Sequence, residues 1–267
     1  MALDTANARP GGTGSIAAIH RYPVKSLTAE RLERAVLAPG AAMPGDRRFA
    51  LLRPGAPFDP LAPAWLPKRH CFALVKEERL AQLAARFDAG TGMLTIERDG
   101  RPVARGDATS PVGRGLLEQF FQAFLALPPG AKPRLAESAD APFADQDLPL
   151  LSILNLASVR DLERVARAPV DPLRFRANLH LDGLPPWAEH GWIDRVLEIG
   201  AARLTVIERI GRCAAIDVVP SGSPGAGARD LALPRLLSQA FGHCDMGVFA
   251  KVSVGGEIAA GAAVAVQ

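Results

Sequence analysis

A chain of 267 residues can bury a substantial core and has room for one large domain or two smaller ones. Its net charge of +3 is carried by scattered arginines rather than a Lys/Arg block, and it has a single Tyr, which argues against a nucleic-acid surface. Three cysteines, Cys71, Cys213 and Cys244, are too few and too scattered for a disulfide framework and read as reduced thiols.

In chain order, residues 1–14 carry no apolar period and read as a flexible tail. Residues 1–9 lack the basic start and apolar run of a secretory signal. No apolar stretch is long enough to cross a bilayer, so the expected location is cytoplasmic. Residues 16–22, 31–37 and 48–52 are rich in β-favouring side chains, punctuated by Pro39, Gly40, Pro44 and Gly45, which predicts three short strands. After a Pro-rich loop over 54–67, residues 71–75 read as a strand and 77–87 as a short helix. Residues 93–97 and 102–104 read as a hairpin turning at Asp99-Gly100. Leu116, Leu117, Phe120, Phe121, Phe124 and Leu125 share one face of a helix over 109–125, which Pro128, Pro129 and Gly130 end. The stretch 128–144 is weak in periodicity and reads as a linker between a first part, 15–127, and a second, 145–267.

In the second part residues 150–156 are apolar, and the spacing predicts helices over 157–165 and 231–241. Strands are predicted over 178–181, 196–199, 203–207 and 214–218, and two closing β runs, 247–254 and 257–266, hinge at Gly255-Gly256. Many strands, few helices and no βαβ alternation predict a mostly β protein with some α, built as two β-rich parts, the second a barrel.

Standard catalytic signatures (a P-loop, a nucleophile elbow, HExxH, CxxC) are missing. The run SGSPGAG over 221–227 reads as a flexible loop, and the five histidines show no ligand spacing. Cys213 differs, because it follows a strand closely behind Arg209 and Arg212. Positive neighbours raise the thiolate fraction, the form that attacks or binds metal; from the residues alone, an inert buried cysteine is the alternative. In a stretch read as extended, alternation puts Arg174, Arg176 and Asn178 on one side, able to face an anion. Lys25 and Ser26 follow the first strand, and Arg47 and Arg48 add guanidinium groups suited to phosphate. For each cluster alone, a salt-bridged surface is the plainer reading.

The motifs YPVKS, GDRRF, FRAN and GRC stand in this order, and the chain ends GVFAKVSVGGEIAAGAAV before its last residues. Together they resemble the MOSC family (molybdenum cofactor sulfurase C-terminal domain) with its N-terminal β-barrel companion over residues 16–264, in a form similar to amidoxime-reducing component proteins. The resemblance implies a MOSC-type barrel in the second part and a molybdenum cofactor of the molybdopterin type held between the parts. It makes Cys213 the metal ligand and catalytic residue. Lys25, Ser26 and Arg47 or Arg48 would hold the pterin phosphate from the first part, and Arg176 and Asn178 from the second, with Arg212 beside the thiol. A soft thiolate and bidentate donors suit such a guest. The implied activity is reduction of N-hydroxylated or N-oxide small molecules. Since no cysteine-rich ferredoxin module is attached, electrons would come from a separate protein, ferredoxin-like or a flavin reductase; neither nucleic acid nor a membrane is an expected partner. The alternative is a sulfur carrier or cofactor-binding protein with a persulfide on Cys213 and no reductase activity. Two departures are visible: the family's usual RPN is RAN here, with Ala177 in place of proline, and Asp145, Gln146 and Asp147 stand where some members carry a hydroxyl pair.

Overall fold

The computed structural model describes residues 12–139 and 141–267. The first half runs through β1 (Thr13–Arg21), β2 (Glu30–Leu32), β3 (Arg34–Leu37), β4 (Phe49–Leu52), β5 (Leu83–Asp88), β6 (Met93–Arg98), β7 (Arg101–Asp107), α1 (Pro111–Phe124) and β8 (Arg134–Glu137). The second half adds β9 (Leu151–Asn155), α2 (Leu156–Ala166), β10 (Leu179–Asp182), β11 (Val196–Ile199), β12 (Ala202–Gly211), α3 (Leu233–Phe241), β13 (Asp245–Val254), β14 (Gly256–Ala259) and β15 (Ala263–Val266). The protein is mostly β, as its sequence predicts.

Seven strands close on themselves in the order β10-β9-β13-β12-β11-β15-β1, with β1 returning to β10 and β2 extending the sheet from β1. Only the β9–β10 pair is parallel. Closure leaves no unpaired barrel edge, and alternation along the strands fills the interior with Ile16, Ile153, Leu181, Leu204, Val248 and Val264. β9 is buried on both faces, because Leu154 packs outward against Leu162, Phe175 and Leu237 under α2 and α3. A barrel is the architecture expected from the sequence for the second part.

Beside it, β5, β6 and β7 form a three-stranded sheet whose β6–β7 turn puts Asp99 at φ 52° and Gly100 at φ 72°, the pair of left-handed positions an Asp-Gly hairpin requires. α1 starts at Ser110, whose side chain accepts from the Gly113 N–H, with Pro111 at the first helical position. It buries Leu117 and Phe121 against Leu83, Leu94 and Ile96.

Several expectations change. Residues 71–75 are not a strand; only Cys71 makes an isolated bridge, to Leu52. The expected helix over 77–87 is a 3-10 turn, Glu78–Gln82, that runs into β5, where Leu83, Ala85 and Phe87 are buried alternately and the two-residue period wins. The run 31–37 breaks at Glu33: β2 stays on β1 and β3 leaves to pair with β14. Residues 214–218 form a 3-10 turn, Ala214–Asp217, in place of a strand. Within the stretch read as a linker, β8 pairs with β4. Pairings also cross the expected boundary, since β1 is a stave of the barrel. Of the tail expected over 1–14, residues 1–11 lie outside the described residues, and Thr13 and Gly14 already belong to β1. Among the described residues no helix is long and apolar enough to cross a membrane.

A buried polar knot fastens α2 to the barrel. The Asn155 amide donates to Glu189 Oε2 at 2.9 Å and to the Pro185 carbonyl at 2.7 Å, and Ser158 Oγ donates to the same carboxylate oxygen at 2.9 Å. Burial pushes the Glu189 carboxyl up to about 7 against these donors, and its Oε1 has no partner among the described residues, which leaves a place for a proton. The folded chain then keeps a proton that the unfolded chain releases near 4.5, so this group's contribution to stability falls as pH rises from about 4.5 to about 7. The Tm advantage of Glu189→Gln over wild type is expected to grow across that window and stay constant above it; thermal denaturation against pH measures this, and a pH-independent difference would contradict it.

Candidate functional site

After β1, the chain from Tyr22 to Leu27 is zipped to residues 46–49. The Tyr22 N–H donates to Asp46 Oδ1 at 2.8 Å, Arg47 N–H to the Tyr22 carbonyl at 2.6 Å, Phe49 N–H to Pro23 O at 2.9 Å, and Lys25 N–H to Phe49 O at 2.8 Å. Val24, Leu27 and Phe49 sink into the core, and the residues between them, Lys25 and Ser26, line a cavity of about 300 Å³. The two short motifs are brought side by side by these hydrogen bonds.

Six cationic side chains line the cavity, Lys25, Arg47, Lys68, Arg174, Arg176 and Arg212, against two carboxylates, Asp46 and Asp145. Ser26, Asn178 and Cys213 complete the set that the sequence singles out. Arg48 is the exception: it pairs with Glu137 at 2.6 Å and does not reach the cavity. Ser26, Arg47 and Arg176 have φ of 74°, 47° and 52°, left-handed values that cost a non-glycine residue about 1 kcal/mol or more each. Three such residues on one cavity wall mark the strain that collects at binding sites.

Tyr22 is the platform beneath two of the guanidiniums, with Arg47 at 4.3 Å and Arg176 at 4.5 Å from its ring centroid. Arg47 pairs with Asp46 and donates to the Arg176 carbonyl at 2.8 Å, while Arg176 Nη1 donates to the Leu27 carbonyl at 2.8 Å. Burial, with the Arg47 charge next, lowers Arg176 to about 10; burial also lowers Arg212 to about 10 and raises Tyr22 to about 12. Both arginines remain charged at neutral pH.

The reading of residues 174–178 as one side of a strand needs correction. Pro172–Phe175 is a 3-10 turn capped by the left-handed Arg176, so Arg174 points another way. Its guanidinium donates to Asp217 O at 2.9 Å and to Asp230 at 2.7 Å, bracing the turn that carries Cys213. Asn178 accepts from the Ser152 N–H and Oγ at 3.0 and 2.9 Å and donates to His20 O at 3.2 Å, so its amide ties β9 to β1. Arg212 donates to the Met246 carbonyl from Nε at 2.8 Å and from Nη2 at 2.5 Å, and to Phe175 O at 2.8 Å. Gly247, at φ 78°, lets β13 approach β9 closely beside this clamp: a Cβ there would lie 2.3 Å from Ile153 O.

Cys213 is exposed at the end of β12, where it caps the Ala214–Asp217 turn. Ile216 anchors that turn in the core, and Arg229 donates to the Ala214 carbonyl at 2.6 Å. Cys71 is buried, which raises its thiol pKa, and Cys244 is half-buried with its sulfur 3.4 Å from Pro234 O; all three thiols are free. Among the described residues, no three His, Cys, Asp or Glu side chains are grouped to hold a metal ion.

Sequence reasoning misses Lys68 and Asp145 as cavity residues. Lys25 Nζ donates to Asp145 Oδ1 at 2.6 Å and to the Phe143 carbonyl at 2.8 Å, and Lys68 stands 3.6 Å from Asp145 Oδ2. Burial alone would raise the Asp145 carboxyl, but the Lys25 charge and hydrogen bond hold it well below the usual carboxylate range. The motif-like spacing around Asp145 was visible, but nothing in the Pro-rich loop singles out Lys68.

Fold and site define a β-barrel protein with a cation-lined cavity and a thiol at its edge. Residues 146–265, the stretch that holds β9 to β15, match the MOSC domain. MOSC domains are associated with the molybdenum cofactor. No curated protein matches the chain in sequence. Among solved structures it is similar to the YuaD protein from Bacillus subtilis, 11% identical, with a TM-score of 0.45 and 96% of each chain covered. It is also similar to YiiM from Geobacillus stearothermophilus, 17% identical with a TM-score of 0.32, and to YiiM from Escherichia coli, 20% identical with a TM-score of 0.30; each comparison covers 44% of this chain and 53% of the other.

Arg212→Lys removes a fork that satisfies two backbone carbonyls at once, and an ammonium cannot replace it. The expected loss is about 2 kcal/mol, a Tm lower by roughly 4–8 °C in thermal denaturation. An unchanged Tm would show that the clamp contributes nothing.

Proposed function

We propose that this chain binds the molybdenum cofactor, a phosphorylated pterin, with Cys213 as thiolate ligand of the metal. As an oxidoreductase, it reduces N-hydroxylated or N-oxide small molecules with electrons from a separate ferredoxin-like or flavin-containing protein. The observation that carries this reading is the convergence of six cations and one exposed thiol on a single cavity at the MOSC domain.

The residues fit the guest. Arg176 Nη2 is buried without a partner among the described residues, and burial has lowered Arg176 and Arg212, so an anion in the cavity relieves a cost the chain already carries. A volume of about 300 Å³ suits a small organic molecule. A single thiol is one ligand, and a pterin that brings its own metal ligands supplies the rest.

Lys25 and Arg176 would hold the phosphate, with Arg47 stacked on Tyr22 to position them and Ser26 adding a hydroxyl. Arg174 and Arg229 hold the turn of Cys213 so that its sulfur keeps one direction. Bound there, the cofactor supplies two-electron oxygen-atom chemistry: a hydroxylamine-type N–O bond breaks, two electrons and two protons enter, and an N–H compound and water leave. A second reading, favoured by the exposure of Cys213, is sulfur carriage through a persulfide.

Protein made in a cofactor-competent host is expected to contain molybdenum and to reduce a hydroxylamine or amidoxime with a supplied electron donor. Cys213→Ala is expected to lose more than about tenfold in turnover, a loss of at least ~1.4 kcal/mol in transition-state stabilisation, together with most of the metal. Molybdenum-free wild type, or a Cys213→Ala protein with full metal and full activity, contradicts the reading. Mass gain of one sulfur atom on Cys213 after incubation with a cysteine desulfurase, in protein without reductase activity, selects the sulfur carrier.

A further inference from the structure

Lys25 is buried to 7% side-chain exposure, yet its carboxylate partner Asp145 is 56% exposed. A buried ammonium needs a counter-charge at all times, whereas a half-exposed carboxylate keeps water within reach and leaves once another anion takes its place. The segment that carries Asp145 has the build of a strap. Its ends are anchored in the core by Phe143, whose ring packs tilted at 5.7 Å from Phe58, and by Leu150. Between the anchors, Asp145, Asp147 and Leu148 are exposed and no residue joins a sheet. Ala144 and Gln146 add two ties, Trp65 Nε1 donating to Ala144 O at 3.1 Å and Gln146 Nε2 to Glu208 Oε1 at 3.0 Å. Segments held by a few exposed side-chain bonds open at low cost.

We propose that Asp145 is a tethered stand-in for the anionic group of the ligand: a phosphate entering the cavity displaces its carboxylate from Lys25 and Lys68, and the 144–149 strap swings off the cavity as it does. Lys25 thus keeps an anion at all times, the strap's own when the cavity is empty and the ligand's when it is filled. A doubly charged phosphate with three acceptor oxygens competes well against a single carboxylate for two ammonium groups. This rests on the cavity taking a phosphate-bearing guest and does not depend on a metal.

The test is titration of the purified full-length protein with inorganic phosphate, read by the fluorescence of Trp65 and separately by calorimetry. In wild type, phosphate changes the emission, and the change is absent from Trp65→Phe, which separates it from the signals of Trp187 and Trp192. Asp145→Asn shows the altered emission without phosphate and binds phosphate about fivefold tighter, as expected for removal of a part-exposed competing ion pair; Asp145→Ala behaves alike should the amide mispair. Lys25→Met binds weaker in either background. The proposal is overturned by Asp145 variants that bind phosphate no tighter than wild type, by phosphate binding that leaves Trp65 unchanged, or by the absence of phosphate binding from wild type and variants together. Phosphate binding and Trp65 emission are read without metal or turnover, so loss of the molybdenum reading leaves this result standing, and the converse also holds.

Discussion

Positive charge buried without enough negative charge to answer it is the condition on which the cavity depends. Five of its six cations donate to backbone carbonyls: Lys25 to Phe143, Arg47 to Arg176, Arg174 to Asp217, Arg176 to Leu27 and Arg212 to Phe175 and Met246. A carbonyl satisfies a donor and fixes its direction, but it does not neutralise the charge. The result is a set of oriented guanidinium and ammonium groups whose field remains available to a guest. Three carboxylates answer four of the six, Asp145 for Lys25 and Lys68, Asp46 for Arg47 and Asp230 for Arg174, which leaves Arg176 and Arg212 without an ion pair among the described residues.

The carbonyls come from both halves of the chain, so the two halves hold the site jointly. β1 runs from the barrel directly into the Lys25 turn, and the Tyr22 ring supports one guanidinium from each half. Left-handed backbone at Ser26, Arg47 and Arg176 aims three neighbouring side chains that regular strands would have sent elsewhere. Rigidity of this kind suits a cofactor held for many turnovers, and the exposed strap with Asp145 is the one part of the wall built to give way.

Much of this was legible in sequence. Alternating runs at 196–199 and 247–254, the Asp-Gly turn and the Phe-rich face of α1 follow from short-range periodicity, which local packing obeys. Cys213, Lys25, Ser26, Arg47 and Arg176 were findable because their motifs recur in one order. The failures share a cause: Arg174 leaves its expected side because one left-handed residue breaks the alternation, and residues 214–218 coil because Ile216 and Val218 are drawn into different cores. Lys68 and Asp145 meet only through tertiary structure, 77 positions apart in sequence. Asn178 and Arg212 line the cavity, and their polar atoms hold the backbone that shapes it.

The most direct measurement is alkylation of Cys213 with iodoacetamide, followed by peptide mass spectrometry, in protein carrying the cofactor and in the same protein after the cofactor is removed. The exposed thiol of the stripped chain should be labelled quickly and that of the loaded chain protected, while Cys71 stays unreactive in both. Equal labelling of Cys213 with and without bound cofactor would mean that its sulfur does not touch the guest, and the assignment of this thiol as metal ligand would be wrong.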